Sequence, residues 1–181
     1  MATPTPGSPR ETGRVLRSSV PPMRDAELRL ADADDPGDVS DVARLLHAFN
    51  TEFDTPTPGP AVLRRRLRRL LAGDATYVVL AGRPAVAVAV VTTRPNVWFD
   101  GPVALLDELY VEPDHRDHGI GGAVLLRVRA EARRRGAELV EINVDEGDLA
   151  ARRFYERHGF SGIEPDTGER ALYYHGPATP D

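Results

Sequence analysis

Residues Leu106 to Gly122 constrain this chain more than any other stretch: Leu-Asp-Glu-Leu-Tyr-Val-Glu-Pro-Asp-His-Arg-Asp-His-Gly-Ile-Gly-Gly. An apolar strand reaches Pro113, a short polar turn follows, and a glycine-rich segment opens a helix. Gly119, Gly121 and Gly122 carry no Cβ, so a ligand can approach their amides closely. The first N–H groups of a helix lack partners inside it and sit at the positive end of its dipole. Together these features suit an anion, most often a phosphate. A tight turn that merely needs glycine has the same composition, so the surrounding chain has to decide.

Periodicity supplies the frame. Glu27–Ala31 alternates as a short strand. Val39, Val42, Leu45, Leu46 and Phe49 recur at helical spacing, predicting a helix that ends near Asn50. A second helix is expected from Pro60 to Leu71, with Leu63, Leu67, Leu70 and Leu71 on one stripe. Its Arg64, Arg65, Arg66, Arg68 and Arg69 read as a solvated face, because no stacking aromatics lie between them. Thr76–Ala81 and Ala85–Thr93 form a hairpin around Gly82-Arg83-Pro84, and a strand from Val103 to Val111 runs into the opening motif. After the glycines, Ile120, Val124, Leu125, Val128 and Ala132 make the buried stripe of a helix reaching about Arg135. A strand over Glu138–Val144, a helix over Asp148–His158, a strand beginning at Gly159–Gly162 and a last one at Ala171–His175 complete the pattern. A meander followed by strand–helix–strand–helix–strand predicts an α/β (α+β) chain with a mixed central sheet.

The 181 residues suffice for one domain. Five prolines among Ser, Thr and Gly make residues 1–24 a flexible tail, in which Met23 is an alternative start. The single domain is expected over 25–176, with a loose C-terminus over 177–181. The 23 basic residues are all Arg, which with 16 Pro suggests a GC-rich bacterial genome. The absence of Cys excludes disulfides, thiolate metal sites and a cysteine nucleophile. A net charge of −5 argues against a nucleic-acid partner. With no membrane-length apolar run and no signal-peptide core, the expected location is the cytoplasm, without membrane contact.

The mid-chain glycines fit neither a dinucleotide fold, which places them after its first strand, nor a P-loop, which needs a Lys this chain lacks. Arg116-Asp117-His118-Gly119-Ile120-Gly121 instead resembles the Arg/Gln-x-x-Gly-x-Gly/Ala acyl-CoA loop of the GNAT (Gcn5-related) N-acetyltransferases. Leu109-Tyr110-Val111-Glu112-Pro113 is similar to the strand and proline before that loop. Ala151-Arg152-Arg153-Phe154-Tyr155-Glu156-Arg157-His158-Gly159-Phe160 is similar to the family's second motif, at the usual separation. The resemblance covers roughly residues 26–175. It implies a GNAT fold with a splayed strand pair and flanking helices, acetyl-CoA as co-substrate, no metal, and a small-molecule amine as acceptor. Family members are often homodimers, although no residue here specifies one.

Carried over residue by residue, the resemblance gives Leu109, Tyr110 and Val111 to the pantetheine arm and the thioester oxygen. It gives Arg116, Asp117, His118, Gly119, Ile120, Gly121 and Gly122 to the pyrophosphate. Asp148, Ala151 and Phe154 belong to the second motif's cofactor contacts. Asp148 stands where the family usually has Asn; it can cap a helix but, when ionised, cannot donate a hydrogen bond. Tyr155 matches the general acid that protonates the leaving thiolate. The attacking amine must lose a proton, and Asp107 or Glu108, expected on opposite faces of the strand by alternation, is the candidate base, with Glu108 preferred.

Glu52, Asp54 and Trp98 are candidate acceptor contacts, two carboxylates and a cation–π face for a polyamine, a diamino acid or an aminoglycoside-like amine. The run from Pro95 to Val111 is weakly similar to the diamine and polyamine branch. The expected reaction is direct attack in a ternary complex. The alternatives are an acyl-CoA-binding module without turnover, or transfer to a protein or peptide amine.

Overall fold

The computed structural model describes residues 28–178. The expected N-terminal tail and the last three residues lie outside them. The elements are β1 (Leu28–Leu30), α1 (Pro36–Glu52), α2 (Pro60–Leu71), β2 (Thr76–Ala81), β3 (Ala87–Arg94), β4 (Val103–Val111), α3 (Ile120–Arg134), β5 (Leu139–Ile142) and α4 (Leu149–Arg157).

The five strands form one sheet in chain order. The pairs β1–β2, β2–β3 and β3–β4 are antiparallel, while β4–β5 is parallel across the α3 crossover. Every residue of β2 and the first five of β3 are buried, as strands covered on both faces must be. On one face Val79, Ala89, Val91 and Leu106 pack against Ile120, Val124 and Val128 of α3. On the other Val78, Val88, Val90 and Tyr110 pack against Val39, Val42 and Leu45 of α1 and Leu67 of α2.

Local chemistry explains where the helices start. Asp35 caps α1 by accepting from the Gly37 and Asp38 amides, and Pro36 occupies the first turn, where its missing N–H costs nothing. Asp38, 2% exposed, accepts from Arg29 Nε and Nη2 at 3.0 and 2.8 Å and so ties α1 to β1. Leaving such a carboxylate buried without its arginine costs about 3–5 kcal/mol. On the opposite face, Tyr77 Oη donates to the Val128 carbonyl at 3.0 Å and pins α3 to the sheet.

The expected C-terminal strands are not formed. Only one isolated bridge, Ile163 with Arg170, joins the two regions, and residues 171–175 are exposed. Side chains compete for the backbone here: Ser161 Oγ accepts from the Ile163 amide, and Thr167 Oγ1 accepts from the Glu169 amide. Gly168 adopts φ +72 within a turn closed by its amide on the Glu164 carbonyl.

Candidate active site

The site begins where two strands part. β4 and β5 pair only over Val103–Leu106 and Leu139–Ile142. β5 then ends, while β4 continues to Val111. The edge of β4 from Asp107 to Val111 therefore faces a wedge instead of a neighbouring strand, which is the splayed pair the resemblance implied.

A bulge sits at the apex of that wedge. On β3, Val90 pairs with Glu108 and Val91 pairs with Leu106, which leaves Asp107 as an extra residue on β4. One extra residue resets the alternation of everything after it. Leu106 and Leu109, three apart, consequently pack on the same α3 face. Glu108 lies opposite Val90 on the α1/α2 face. Asp107 Oδ2 accepts from Thr92 Oγ1 at 2.8 Å, and alternation along β3 puts Thr92 on the face of Val88 and Val90. Both carboxylates therefore point to one face, not one to each as simple alternation predicted.

Their proximity and burial show in their acidity. Burial first, and then the charge of Asp107, push the Glu108 carboxyl above its ordinary range. Burial also raises Asp107, and the hydrogen bonds from Thr92 partly offset it. Thr92 carried no signal in the sequence, because its role depends on a register that only the folded sheet reveals.

Tyr155 enters from α4. Its ring meets Phe154 edge-on at 5.1 Å and Phe160 at 5.9 Å, against the α3-face core. Burial, then the negative charges of Asp148 and Glu108, push its hydroxyl up to about 12. It is therefore a protonated donor at neutral pH, within electrostatic reach of Glu108. Asp148 is the N-cap of α4, its Oδ1 accepting from the Ala151 amide at 2.9 Å. The residues expected as base, acid and cofactor cap are thus carried by β4 and α4.

The glycine turn divides by function. Gly119 is the N-cap of α3 at φ +79, and a Cβ there would meet nothing within 4 Å. It needs glycine for conformation and leaves open space at the helix N-terminus. Gly121 and Gly122 differ: a Cβ would lie 3.4 Å from the Phe154 ring and 2.9 Å from His158 Nε2, respectively. The space those missing side chains leave is filled by α4, so these two glycines seat the helix that carries Tyr155. The side chain of Ile120 is 2% exposed in the core, so only its backbone is available to a ligand. Asp117 (φ +61) and His118 are exposed in the turn.

Arg116 and Glu52, expected to serve different ligands, hold each other. Arg116 Nη1 and Nη2 donate to Glu52 Oε1 and Oε2 at 2.7 and 2.8 Å, and Arg116 Nε donates to the Val111 carbonyl at 2.9 Å. Tyr110 Oη donates to Glu52 Oε2 at 3.1 Å, and its ring stacks on Phe49 at 5.3 Å. Arg116 foremost, with help from Tyr110, holds the Glu52 carboxyl below its usual range. Asp54 follows α1, exposed at φ +51. Trp98 is 86% exposed at the β3–β4 hairpin tip, beyond the Arg94–Val103 end pair, so the structure does not bring it to the carboxylates. A hollow of about 410 Å³ lies beside that tip, lined by Ala75, Pro95, Asn96 and Pro102 among others, away from the wedge. Among the described residues no group of three or more His, Asp or Glu is placed to hold a metal ion, and no helix is long and apolar enough to cross a membrane.

Comparison with known proteins identifies the family and the fold. The model of the acetyltransferase (GNAT) family matches residues 41–160. A crystal structure of a candidate acetyltransferase from Arthrobacter sp. FB24 is 48% identical, with a TM-score of 0.77 over 89% of this chain and 98% of that one. An aminoglycoside acetyltransferase from an uncultured soil metagenomic sample, in complex with sisomicin, shares the fold at TM-score 0.67 and 18% identity, over 86% and 99% of the two chains. A mycothiol acetyltransferase of Thermobispora bispora is 40% identical over 62 residues, which span 34% of this chain and 21% of that protein. An uncharacterized N-acetyltransferase of Methanocaldococcus jannaschii matches equally over 62 residues, 27% of its length.

Proposed function

Because the chain belongs to the GNAT acetyltransferase family, we propose that it moves an acetyl group from acetyl-CoA to a primary amine of a small cationic molecule, by direct attack in a ternary complex. The observation that carries this reading is the bulge at Asp107, which turns the exposed Asp107 and the half-buried Glu108 to one face at the apex of the β4–β5 wedge.

The wedge and the turn suit the co-substrate. Backbone groups of Leu109, Tyr110 and Val111, the Val111 carbonyl already accepting from Arg116 Nε, border the wedge for the pantetheine arm, and Gly119 leaves open space at a helix N-terminus for the phosphates. When bound, acetyl-CoA supplies an activated acyl group on a thiol leaving group. Glu108, its affinity for protons raised by burial, takes the proton of the ammonium and leaves the amine nucleophilic. Asp107, fixed by Thr92, keeps that affinity high and adds a second negative charge for a cation. Tyr155 holds its proton at neutral pH and is the donor for the departing sulfur.

A polycationic acceptor suits Asp107, Glu108 and the exposed Asp54, and an aminoglycoside acetyltransferase shares the fold. Asp148 favours one other reading: its carboxyl caps α4 where the family's Asn would bring an amide donor to the pantetheine, as in a module that binds acyl-CoA without turning it over. The test is Tyr155→Phe. Turnover should fall by about 10²-fold or more while CoA affinity changes less than about twofold. Unchanged turnover would remove Tyr155 as the acid.

A further inference from the structure

The ion pair between Glu52 and Arg116 joins two parts of the site that are 64 residues apart in the chain. Glu52 is the last residue of α1, where the helix dipole presents its negative end, and the last turn of α1 contains no basic residue. A carboxylate there is poorly placed unless a cation comes from elsewhere. Arg116 is that cation, and it belongs to the turn that opens α3. Three of its five N–H groups are engaged, one on the Val111 carbonyl and two on Glu52. The guanidinium of the turn that opens α3 is therefore paired with a carboxylate of α1.

We propose that Glu52 and the phosphates of CoA compete for Arg116, so that Glu52 restrains cofactor affinity by acting through that side chain. This rests on the acetyl-CoA reading above. A phosphate arriving at the turn meets an arginine whose charge is already balanced, and it lies close to a carboxylate that repels it. Binding therefore exchanges one anionic partner of Arg116 for another. The exchange is close to balanced because the pair is partly solvated, Arg116 being 40% and Glu52 28% exposed. Pairs of this exposure change equilibria by about twofold to fivefold. Tyr110 sets the resistance to exchange. Its hydroxyl holds Glu52 Oε2 and its ring lies 5.6 Å beneath the Arg116 guanidinium, so both partners rest on one buried side chain. Glu52 is thus a positioning residue for Arg116, and the sign of its effect distinguishes it from a structural one. Removing a structural support weakens ligand binding, whereas removing a competitor strengthens it.

The test is isothermal titration with CoA of the full chain as wild type, Glu52→Gln, Arg116→Gln and the double variant. Glu52→Gln should bind CoA about twofold to fivefold more tightly, and Arg116→Gln more weakly. In the Arg116→Gln background the Glu52 substitution should have no effect. Tyr110→Phe, which keeps the ring and loses only the hydroxyl, should tighten CoA binding in the same direction by less. Equal or weaker binding by Glu52→Gln, or tightening that persists without Arg116, overturns the competition while leaving the acetyl-CoA reading intact. Failure of the wild type to bind CoA overturns both.

Discussion

Gly122→Ala separates two explanations for a glycine in the motif. If the residue is small so that a ligand can approach, an alanine blocks the ligand and leaves the fold alone. The structure gives the opposite cause. An ideal Cβ at position 122 lies 2.9 Å from His158 Nε2, so something must move by roughly half an ångström to restore ordinary contact. His158 cannot swing away freely, because its Nδ1 is 2.7 Å from the Phe154 carbonyl and its ring lies 4.5 Å from the Phe154 ring. Overpacking of this kind costs about 1–3 kcal/mol, against a helix-propensity gain of at most about 1 kcal/mol for Gly→Ala. With the full offset the net loss is up to about 2 kcal/mol, or up to about 8 °C in Tm for a chain of this size. His158 is the C-cap of α4, the helix that carries Tyr155, so its displacement moves the candidate acid, and turnover should fall at least tenfold, by the sensitivity of about 10²-fold per ångström of misplacement. The decisive variant is Gly122→Ala combined with His158→Ala. Removing the ring removes the clash, so the pair should show a favourable coupling of about 1 kcal/mol or more in thermal denaturation, together with partial recovery of turnover. A Gly122→Ala protein as stable as wild type, with CoA binding abolished and not restored by His158→Ala, would refute the packing argument.

The carboxylate pair makes a prediction in pH. Because the Glu108 carboxyl is raised, activity should fall on acidification at a higher pH than for an ordinary glutamate; Glu108→Gln should lower kcat by about 10²- to 10⁴-fold and abolish that limb, whereas Asp107→Asn should move it to lower pH with a smaller loss. A larger loss for Asp107→Asn would exchange the two roles. Glu131, fully buried on α3 and bonded to Arg134 and Arg135 Nε, both at 2.8 Å, has its carboxyl held down to about 2, chiefly by Arg134. A lowered carboxyl contributes stability that is full above the unfolded value of 4.5 and is lost as pH falls toward 2. Since the Arg134 side chain is 65% exposed, Glu131→Gln should cost only about 1–2 kcal/mol at neutral pH and flatten the stability profile over that acid range, as followed by denaturant titration.

What the sequence disclosed depended on how local each signal was. β2 and α2 are found at the residues expected, since a continuous apolar run and a leucine stripe between turn residues need no tertiary information. β4 is equally legible in extent, but its bulge is not. The extra residue exists only relative to β3, so alternation alone sent Asp107 and Glu108 to opposite faces. The turn of glycines was visible, yet the division between Gly119, open to solvent, and Gly122, closed by His158, requires the position of α4. The apolar Leu172-Tyr173-Tyr174 run reads as a strand, but the chain before it closes in turns and an isolated Ile163–Arg170 bridge, and residues 171–175 form no strand. Glu52 and Arg116 were each identified as site residues, while their mutual bond links elements distant in sequence and left no trace in either local pattern.

The proposed reaction is transfer of an acetyl group to an amine. The most direct measurement is free thiol released from acetyl-CoA by the purified full chain across a panel of polyamines, diamino acids, aminoglycosides and peptide N-termini. Release should be saturable with at least one polycationic small amine and reduced about 10²-fold or more in Tyr155→Phe. Saturable CoA binding without thiol release for any amine in the panel would contradict it.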